Sequence, residues 1–240
     1  SDAVEAYRAA QRLRPAHPLP TLSLVRLLRQ TRNHKRLVTE LKSLAREESE
    51  PRALAQLHMM AAEVEEHCLG DDEAALRSLA ACDEALQSAP EPAWDPTVFE
   101  STERILFRLG DDAGLMRLYA KWLERKPPAT VDHTLRVGLA FALEETNPAQ
   151  ASEVLDALVS VVPKHVPALR RLVHLRRALG ESGPLSNLLF AQGSVLGARV
   201  ARAGALWEVV NLEDRIGPAH TLEALARIIR EDPADVGALD

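Results

Sequence analysis

The sequence predicts an all-α protein, built as a stack of about six antiparallel helical hairpins. One apolar pattern recurs along the chain, and its end points lie 34 to 41 residues apart. Turn residues, which begin with Gly in four of five cases, precede most of these end points by about half a repeat. No segment combines period-two alternation with hairpin turns, so no β-strand is predicted.

The recurring pattern is a small or apolar residue, a large one four positions later, an apolar one three further on, and Pro five after that. Leu115, Tyr119, Trp122 and Pro127 are the clearest example. Two of the units lack the closing Pro. The predicted units end near residues 15, 49, 90, 127, 163, 197 and 233. A period of this length is typical of stacked repeats.

Each unit is predicted to contain a helix, a tight turn, a second helix and a break. In order, the turns are Gly70-Asp71-Asp72, Gly110-Asp111-Asp112, Thr146-Asn147-Pro148, Gly180-Glu181-Ser182 and Gly217-Pro218. Gly closes one helix, Asp, Asn or Ser caps the next, and Pro suits a first helical turn. The predicted helices span 2–13, 18–30, 33–47, 51–69, 72–88, 95–109, 112–125, 129–145, 148–161, 165–179, 183–192, 196–216 and 219–231.

Both ends of the chain lie partway through a predicted unit. Residues 234–240 resemble the start of another hairpin, so we expect residues 1–240 to be one solenoid cut from a longer array. The first residues form neither a signal peptide nor a transit peptide. No stretch approaches the roughly 20 apolar residues of a membrane span, so none is predicted.

The repeat, its Gly turns and its closing Pro resemble the tetratricopeptide repeat (TPR) family over nearly the whole chain. Residues 96–127 match best, with Phe99 in the first helix and the Gly110-Asp111 turn. The resemblance implies a right-handed, TPR-like superhelix whose first helices line a concave groove. It also implies a non-catalytic scaffold or adaptor that binds a partner peptide or helix there. The family's carboxylate-binding pattern of Lys and Asn is not matched, so the resemblance assigns no site residue.

Composition narrows the classes of function. The chain has a net charge of −6 and contains only 4 Phe, 3 Trp and 2 Tyr, which argues against nucleic-acid binding. It has no phosphate-cradling motif, no nucleophile elbow and no metal-ligand spacing, so neither an enzyme nor a cofactor is predicted. Three alternatives remain open. One is a regulatory or sensing array of a larger enzyme or signalling protein, and another is an RNA-binding helical repeat whose paired polar residues read bases. The third is a structural role, in which the cut ends or edges of the array stack into oligomers.

The two cysteines, Cys68 and Cys82, are predicted to be buried free thiols. Their offset along a hairpin would be about 15 Å, whereas a disulfide needs Cα atoms within roughly 7 Å. Free thiols favour a reducing compartment such as the cytoplasm. Residues 58–68 are richest in possible metal ligands but lack zinc or di-iron spacing. We therefore predict no metal there, but a solvated acidic face with a buried Cys68.

A basic cluster in the predicted helix 165–179 is the strongest candidate for binding. Residues 164–177 contain five Lys or Arg and two His, and no acid follows until Glu181. At about 100° per residue, Arg170, His174 and Arg177 share the face opposite the apolar stripe. Two interpretations stay open: a groove patch for an acidic partner segment, or a solvated cationic face.

The next first helix adds a second group of candidates. Trp207, Asn211 and Asp214 share one edge of that helix. Trp207 is interpreted either as partly core or as a groove anchor. The candidate partner-binding residues are therefore Arg170, His174, Arg177, Trp207 and Asn211. The oligomeric state is not predicted.

Overall fold

The computed structural model describes residues 2–13, 18–91, 95–212 and 217–231. Within these ranges the chain forms thirteen α-helices and one π-helical turn, and no β-strand occurs there. The all-α prediction is confirmed. The predicted unit ends at Pro15 and Pro233, together with Asp214 and residues 234–240, lie outside the described residues. None of the described helices has the length and apolar character needed to cross a membrane.

The chain divides into two compact units, and the N-terminal unit is Ser1–Gly110. Each of its helices packs against the next one along the chain. Its elements are α1 Asp2–Leu13, α2 Pro18–Gln30, α3 His34–Glu47, α4 Pro51–Val64, a π turn Glu65–Leu69, α5 Asp72–Ser88 and α6 Pro96–Leu109. One core cluster forms around Leu28, Leu37 and Leu41, and another around Leu79 and Ile105.

The C-terminal unit is Asp111–Asp240, and it repeats this arrangement. Its elements are α7 Asp112–Glu124, α8 Ala129–Leu143, α9 Pro148–Val161, α10 Val166–Ala178, α11 Ser182–Val195, α12 Arg199–Val210 and α13 Pro218–Glu231. Helices α8–α9, α10–α11 and α12–α13 pair as hairpins, and each hairpin packs on the next. Leu155 and Leu172 belong to one buried cluster, and Leu189, Val209 and Ile228 to another. This neighbour-on-neighbour packing is that of a helical-repeat stack.

The predicted glycine turns are confirmed. Gly70, Gly110 and Gly180 have φ of 65°, 66° and 71°, a left-handed conformation that costs glycine little. After two of these turns, Asp71 and Asp111 each accept a hydrogen bond from the backbone N–H three residues later, at 2.9 and 2.8 Å. The first helix therefore ends sharply, and the second begins within two residues.

The π turn changes which side chains the end of the predicted helix 51–69 buries. A π turn closes i→i+5 hydrogen bonds instead of i→i+4, so the following residues rotate relative to the face of α4. Glu65 and Glu66 become buried, and Cys68 becomes exposed. The predicted solvated acidic face with a buried Cys68 is therefore wrong. Cys82 is buried and unpaired, as predicted.

Candidate partner-binding surface

In the C-terminal unit, the first helices of three successive hairpins are linked side by side through their side chains. Arg171 of α10 donates a hydrogen bond to Glu144, which follows α8, and its guanidinium lies 4.3 Å from the centroid of the Phe141 ring. Arg177 of α10 donates to Glu208 Oε1 of α12 through Nε at 3.0 Å and Nη2 at 2.6 Å. We call the surface that results the first-helix face. It consists of Phe141, Glu144, Arg170, His174, Arg177 and Glu208.

Helix α10 presents its basic residues because its other side is apolar. Leu172 and Leu175 are fully buried against the core of the unit. At the start of the helix, Nδ1 of His165 accepts a hydrogen bond from the N–H of Ala168 at 3.2 Å. On the opposite side Arg170, His174 and Arg177 are exposed. The predicted apolar stripe and the predicted basic face are therefore both present on α10.

The neighbouring hairpins bring carboxylates to this face. Glu144 Oε1 lies 3.6 Å from Nε2 of His174, and Glu208 pairs with Arg177. Arg170 is exposed and has no ion-pair partner within the described part of the chain. Residues 164–177 contain no acid in the sequence, but acids from the neighbouring hairpins lie beside His174 and Arg177 in the folded protein.

The two carboxylates were missed because they lie far away in sequence. Glu144 is 27 residues before Arg171, and Glu208 is 31 residues after Arg177. In a helical-repeat stack, the spatial neighbour of a residue lies about one repeat before or after it. A search for acids at that distance, instead of within the same helix, would have found both.

Arg176 belongs to the other side of α10. It pairs with Asp156 of α9 and with Glu181 of the following turn. Burial alone would lower its pKa, but the hydrogen bond to Glu181 and the charges of Asp156 and Glu181 together raise it. Arg176 is therefore a structural cation that holds α10 against α9.

Trp207 and Asn211 lie at the end of α12. Trp207 is half-buried and packs at the edge of the cluster that contains Leu189 and Val209. Asn211 is exposed, and its backbone N–H donates to the carbonyl of Trp207 at 3.1 Å. Trp207 thus contributes to the core of its hairpin. That it also contacts a partner stays a prediction.

The N-terminal unit carries an apolar cavity of about 460 Å³ between α4 and α5. Its wall is formed by Ala55, Met59, Met60, Cys82 and Leu86, with Arg52, Gln56 and Asp95 beside them. Burial raises the pKa of Cys82 to about 12, and Asp95 and Asp83 add to this effect. The thiol is therefore neutral at physiological pH. A cavity of this kind suits an apolar side chain better than a charged one.

The buried carboxylates of the π turn are held by three basic side chains and one serine hydroxyl. Lys42 Nζ and Ser78 Oγ both lie 2.6 Å from oxygens of Glu65. Arg104 of α6 donates to Glu66 through Nε at 3.1 Å and Nη2 at 2.8 Å, and Arg108 bridges Glu66 to Asp72. Because these buried charges are fully paired, we expect them to stabilise the packing of the helices and not to bind a ligand.

The pKa of Glu66 reflects two opposing effects. Burial raises it, but the hydrogen bonds from Arg104 and Arg108 outweigh burial and hold it below the usual range. The Arg108 guanidinium likewise lowers the pKa of Asp72. Over the described residues, no group of three or more His, Cys, Asp or Glu is placed to hold a metal ion.

Comparisons with known proteins give structural likenesses only. No family model matches the chain, and no curated protein matches it. Among solved structures, the C-terminal part of a TPR repeat-containing protein from Cytophaga hutchinsonii is similar at 11% identity and a TM-score of 0.32. The match covers 91% of this chain and 98% of that chain.

Two further solved structures are similar. The assembly chaperone of RpL4 (Acl4) is 14% identical, with 93% of each chain covered and a TM-score of 0.32. A structure of Naa15/Naa10 bound to HypK-THB is 17% identical over 99% of this chain and 46% of that chain, with a TM-score of 0.24. Likenesses at TM-scores this low say nothing about binding, so the function must be inferred from the residues of the chain itself.

Proposed function

We propose that this chain is a non-catalytic protein-interaction scaffold, and that its first-helix face binds an acidic segment of a partner peptide or helix. One observation carries the proposal: Arg170 is exposed and without an ion-pair partner among the described residues, on a face shared by three helices. His174 and Arg177 lie beside it at helical spacing. An incoming carboxylate would give Arg170 the partner that the described residues do not supply.

The side chains of the first-helix face suit a peptide that is both acidic and partly apolar. The planar fork of Arg170 can hold a carboxylate through two hydrogen bonds. Phe141 stacks with the guanidinium of Arg171 but is still 45% exposed, so it offers an apolar contact nearby. An exposed ion pair contributes only about 0–1 kcal/mol, so affinity requires several such contacts along the peptide. Charge complementarity then sets which partner binds and how fast.

Binding of defined peptides to the whole chain tests this proposal. Fluorescein-labelled peptides rich in Glu and Phe are titrated by fluorescence anisotropy, beside peptides with Lys in place of Glu. Arg170→Glu should weaken binding of the acidic peptides about tenfold, equivalent to about 1.4 kcal/mol. Lys164→Glu makes the same charge change in the loop before α10 and should have little effect. Arg170→Lys keeps the charge but loses the fork, so an intermediate loss is expected.

Position 170 is a cleaner test than position 177. Arg177 holds Glu208, so Arg177→Glu would set two carboxylates against each other and disturb the packing of α10 on α12. Equal losses of affinity in Arg170→Glu and Lys164→Glu would contradict the proposal, because they would show that the acidic peptides are attracted by overall positive charge and not by a defined site. Tight binding of a single-stranded RNA, abolished by Arg170→Glu, would instead favour the RNA-binding alternative.

A further inference from the structure

A cavity of about 400 Å³ lies in the C-terminal unit, between α11, α12 and α13. It is distinct from the first-helix face and shares no residue with it. Three of the side chains that line it are arginines. The lining residues are Gly193, Ser194, Arg202, Leu206, Arg227 and Arg230.

Two of the three arginines are held in place by neighbouring groups. Arg202 donates through Nη1 to the carbonyl oxygens of Leu196 and Gly197, at 3.0 and 2.9 Å. Arg227 lies 4.8 Å from the centroid of the Phe190 ring and donates through Nη2 to Glu223 at 2.7 Å. Their guanidinium groups are therefore oriented before any ligand arrives, which lowers the entropy cost of binding.

The third arginine, Arg230, is exposed, and it makes no ion pair with any residue of the described ranges. Ser194 contributes a hydroxyl to the same wall, 3.4 Å from Nη1 of Arg227. An anion that enters the cavity would be attracted by three guanidinium groups, although Glu223 offsets part of the charge of Arg227.

A glycine in the last turn of α11 lines the cavity. A Cβ at Gly193 would lie 3.1 Å from Cγ of Leu206, which is closer than ordinary van der Waals contact. Because that Cβ is absent, α12 can approach α11 closely. This approach places Arg202 of α12 in the same cavity as Ser194.

We propose that this cavity binds a phosphate-bearing anion. Arginine forks match the oxygens of phosphate and can hold two of them at once. The cavity is larger than a single phosphate ion, so a diphosphate or a phosphate ester on a small molecule or a side chain fills it better. The site is independent of the proposed peptide-binding face, and either can exist without the other.

A basic cavity of the N-terminal unit offers an instructive contrast. It has a volume of about 310 Å³, and its lining includes Lys42, Arg46, His58, Arg77 and Ser78. There Lys42 and Ser78 are already hydrogen-bonded to the buried carboxylate of Glu65. Burial and the charge of Lys42 also lower the pKa of His58, so it stays neutral. Of these two basic cavities, we therefore assign the anion site to the C-terminal one.

Calorimetric titration of the whole chain with sodium pyrophosphate tests the assignment, against sodium chloride at the same ionic strength. We expect saturable 1:1 binding. Arg230→Ala should weaken it about tenfold, and this variant should fold because Arg230 is exposed. Arg227→Lys keeps the charge but loses the planar fork, and should weaken binding by less. Lys164→Ala, a cation outside the cavity, should bind as the unsubstituted chain does.

Two results would overturn the proposal. One is heat of the same size from pyrophosphate and from chloride, which would mean simple screening. The other is equal pyrophosphate affinity in the unsubstituted chain and in Arg230→Ala. A phosphoserine peptide titrated in parallel separates the possible sources of the phosphate. Tighter binding of the peptide points to a phosphorylated protein, and tighter binding of pyrophosphate points to a small molecule.

Discussion

At the scale of single residues, the chain keeps two adjacent carboxylates away from water and pairs both. Glu65 forms an ion pair with Lys42 and accepts a hydrogen bond from Ser78, and Glu66 forms ion pairs with Arg104 and Arg108. An unpaired buried charge would cost several kcal/mol, so these basic partners are part of what makes the π turn possible.

Stability should depend on pH through Glu66. Its folded-state pKa lies below 4.5, so its contribution is complete above pH 4.5 and is lost as the pH falls through the folded-state pKa. Glu66→Gln should therefore lower the free energy of unfolding at pH 7 by about 1–3 kcal/mol. The gap from the unsubstituted chain should narrow in acid. Urea denaturation across pH measures this, and Glu63→Gln on exposed α4 surface is the control.

The two thiols should differ in reactivity. The thiolate is the reactive form, so exposed Cys68 should react quickly with a disulfide reagent at pH 8, whereas Cys82, with its pKa raised to about 12, should react only on unfolding. Cys68→Ser should remove the fast phase, and Cys82→Ser should keep it. A fast phase that persists in Cys68→Ser would contradict the burial of Cys82.

At the scale of elements, helix ends depend on glycine at three turns and on acids that follow two of them. Gly70→Ala should lower the free energy of unfolding by about 1 kcal/mol, because φ of 65° is strained for any other residue. Gly183 lies in the first turn of α11, where an added Cβ would meet no atom within 4 Å, so Gly183→Ala should be neutral or stabilising. Equal destabilisation by both would mean that the turn conformation is not what matters.

The contact between helices of one hairpin should be intolerant of charge. Ala151 of α9 is fully buried, and we expect Ala151→Arg to cost about 3 kcal/mol or more of unfolding free energy. Ala157 is exposed on the same helix, so Ala157→Arg makes the matched control. A melting temperature unchanged by Ala151→Arg would place Ala151 outside the helix contact.

The helices and turns could be predicted because their causes are local. Gly70 and Asp71 close one helix and cap the next within three residues, and the apolar stripe of α10 repeats within one helix. The burial of Glu65 could not be predicted, because it depends on a π turn that no local residue marks. The partners of Arg171 and Arg177 were missed because they lie one repeat away. Local rules describe the elements, and spacing by one repeat is needed to describe the surface.

At the scale of the whole molecule, each compact unit has buried clusters of its own. Those of Ser1–Gly110 involve α2 to α6, and those of Asp111–Asp240 involve helices from α8 onward. Stability in such stacks is a sum over contacts between neighbouring repeats. A fragment whose repeats keep their contacts with one another therefore keeps much of its stability. That the units form one continuous array, cut from a longer one, stays a prediction.

The two units should therefore fold separately. Fragments 1–110 and 111–240 should each give a helical circular-dichroism spectrum and a cooperative thermal transition. A fragment that is unfolded in isolation would show that its clusters are insufficient without the other unit. A strand content above roughly 10% in either would contradict the all-α fold, since ordinary domains contain 20–25% strand.

The ion pairs of α10 also constrain how this gene can change. Arg171 depends on an acid in the preceding hairpin, and Arg177 on an acid in the following one. A hairpin that is duplicated, lost or exchanged takes one member of a pair and leaves the other behind. Positions 144 and 171, and positions 177 and 208, should therefore vary together among descendants of this sequence. The double exchange Arg177→Glu with Glu208→Arg should recover stability that either change alone loses. The fold therefore depends on which hairpin follows which along the chain.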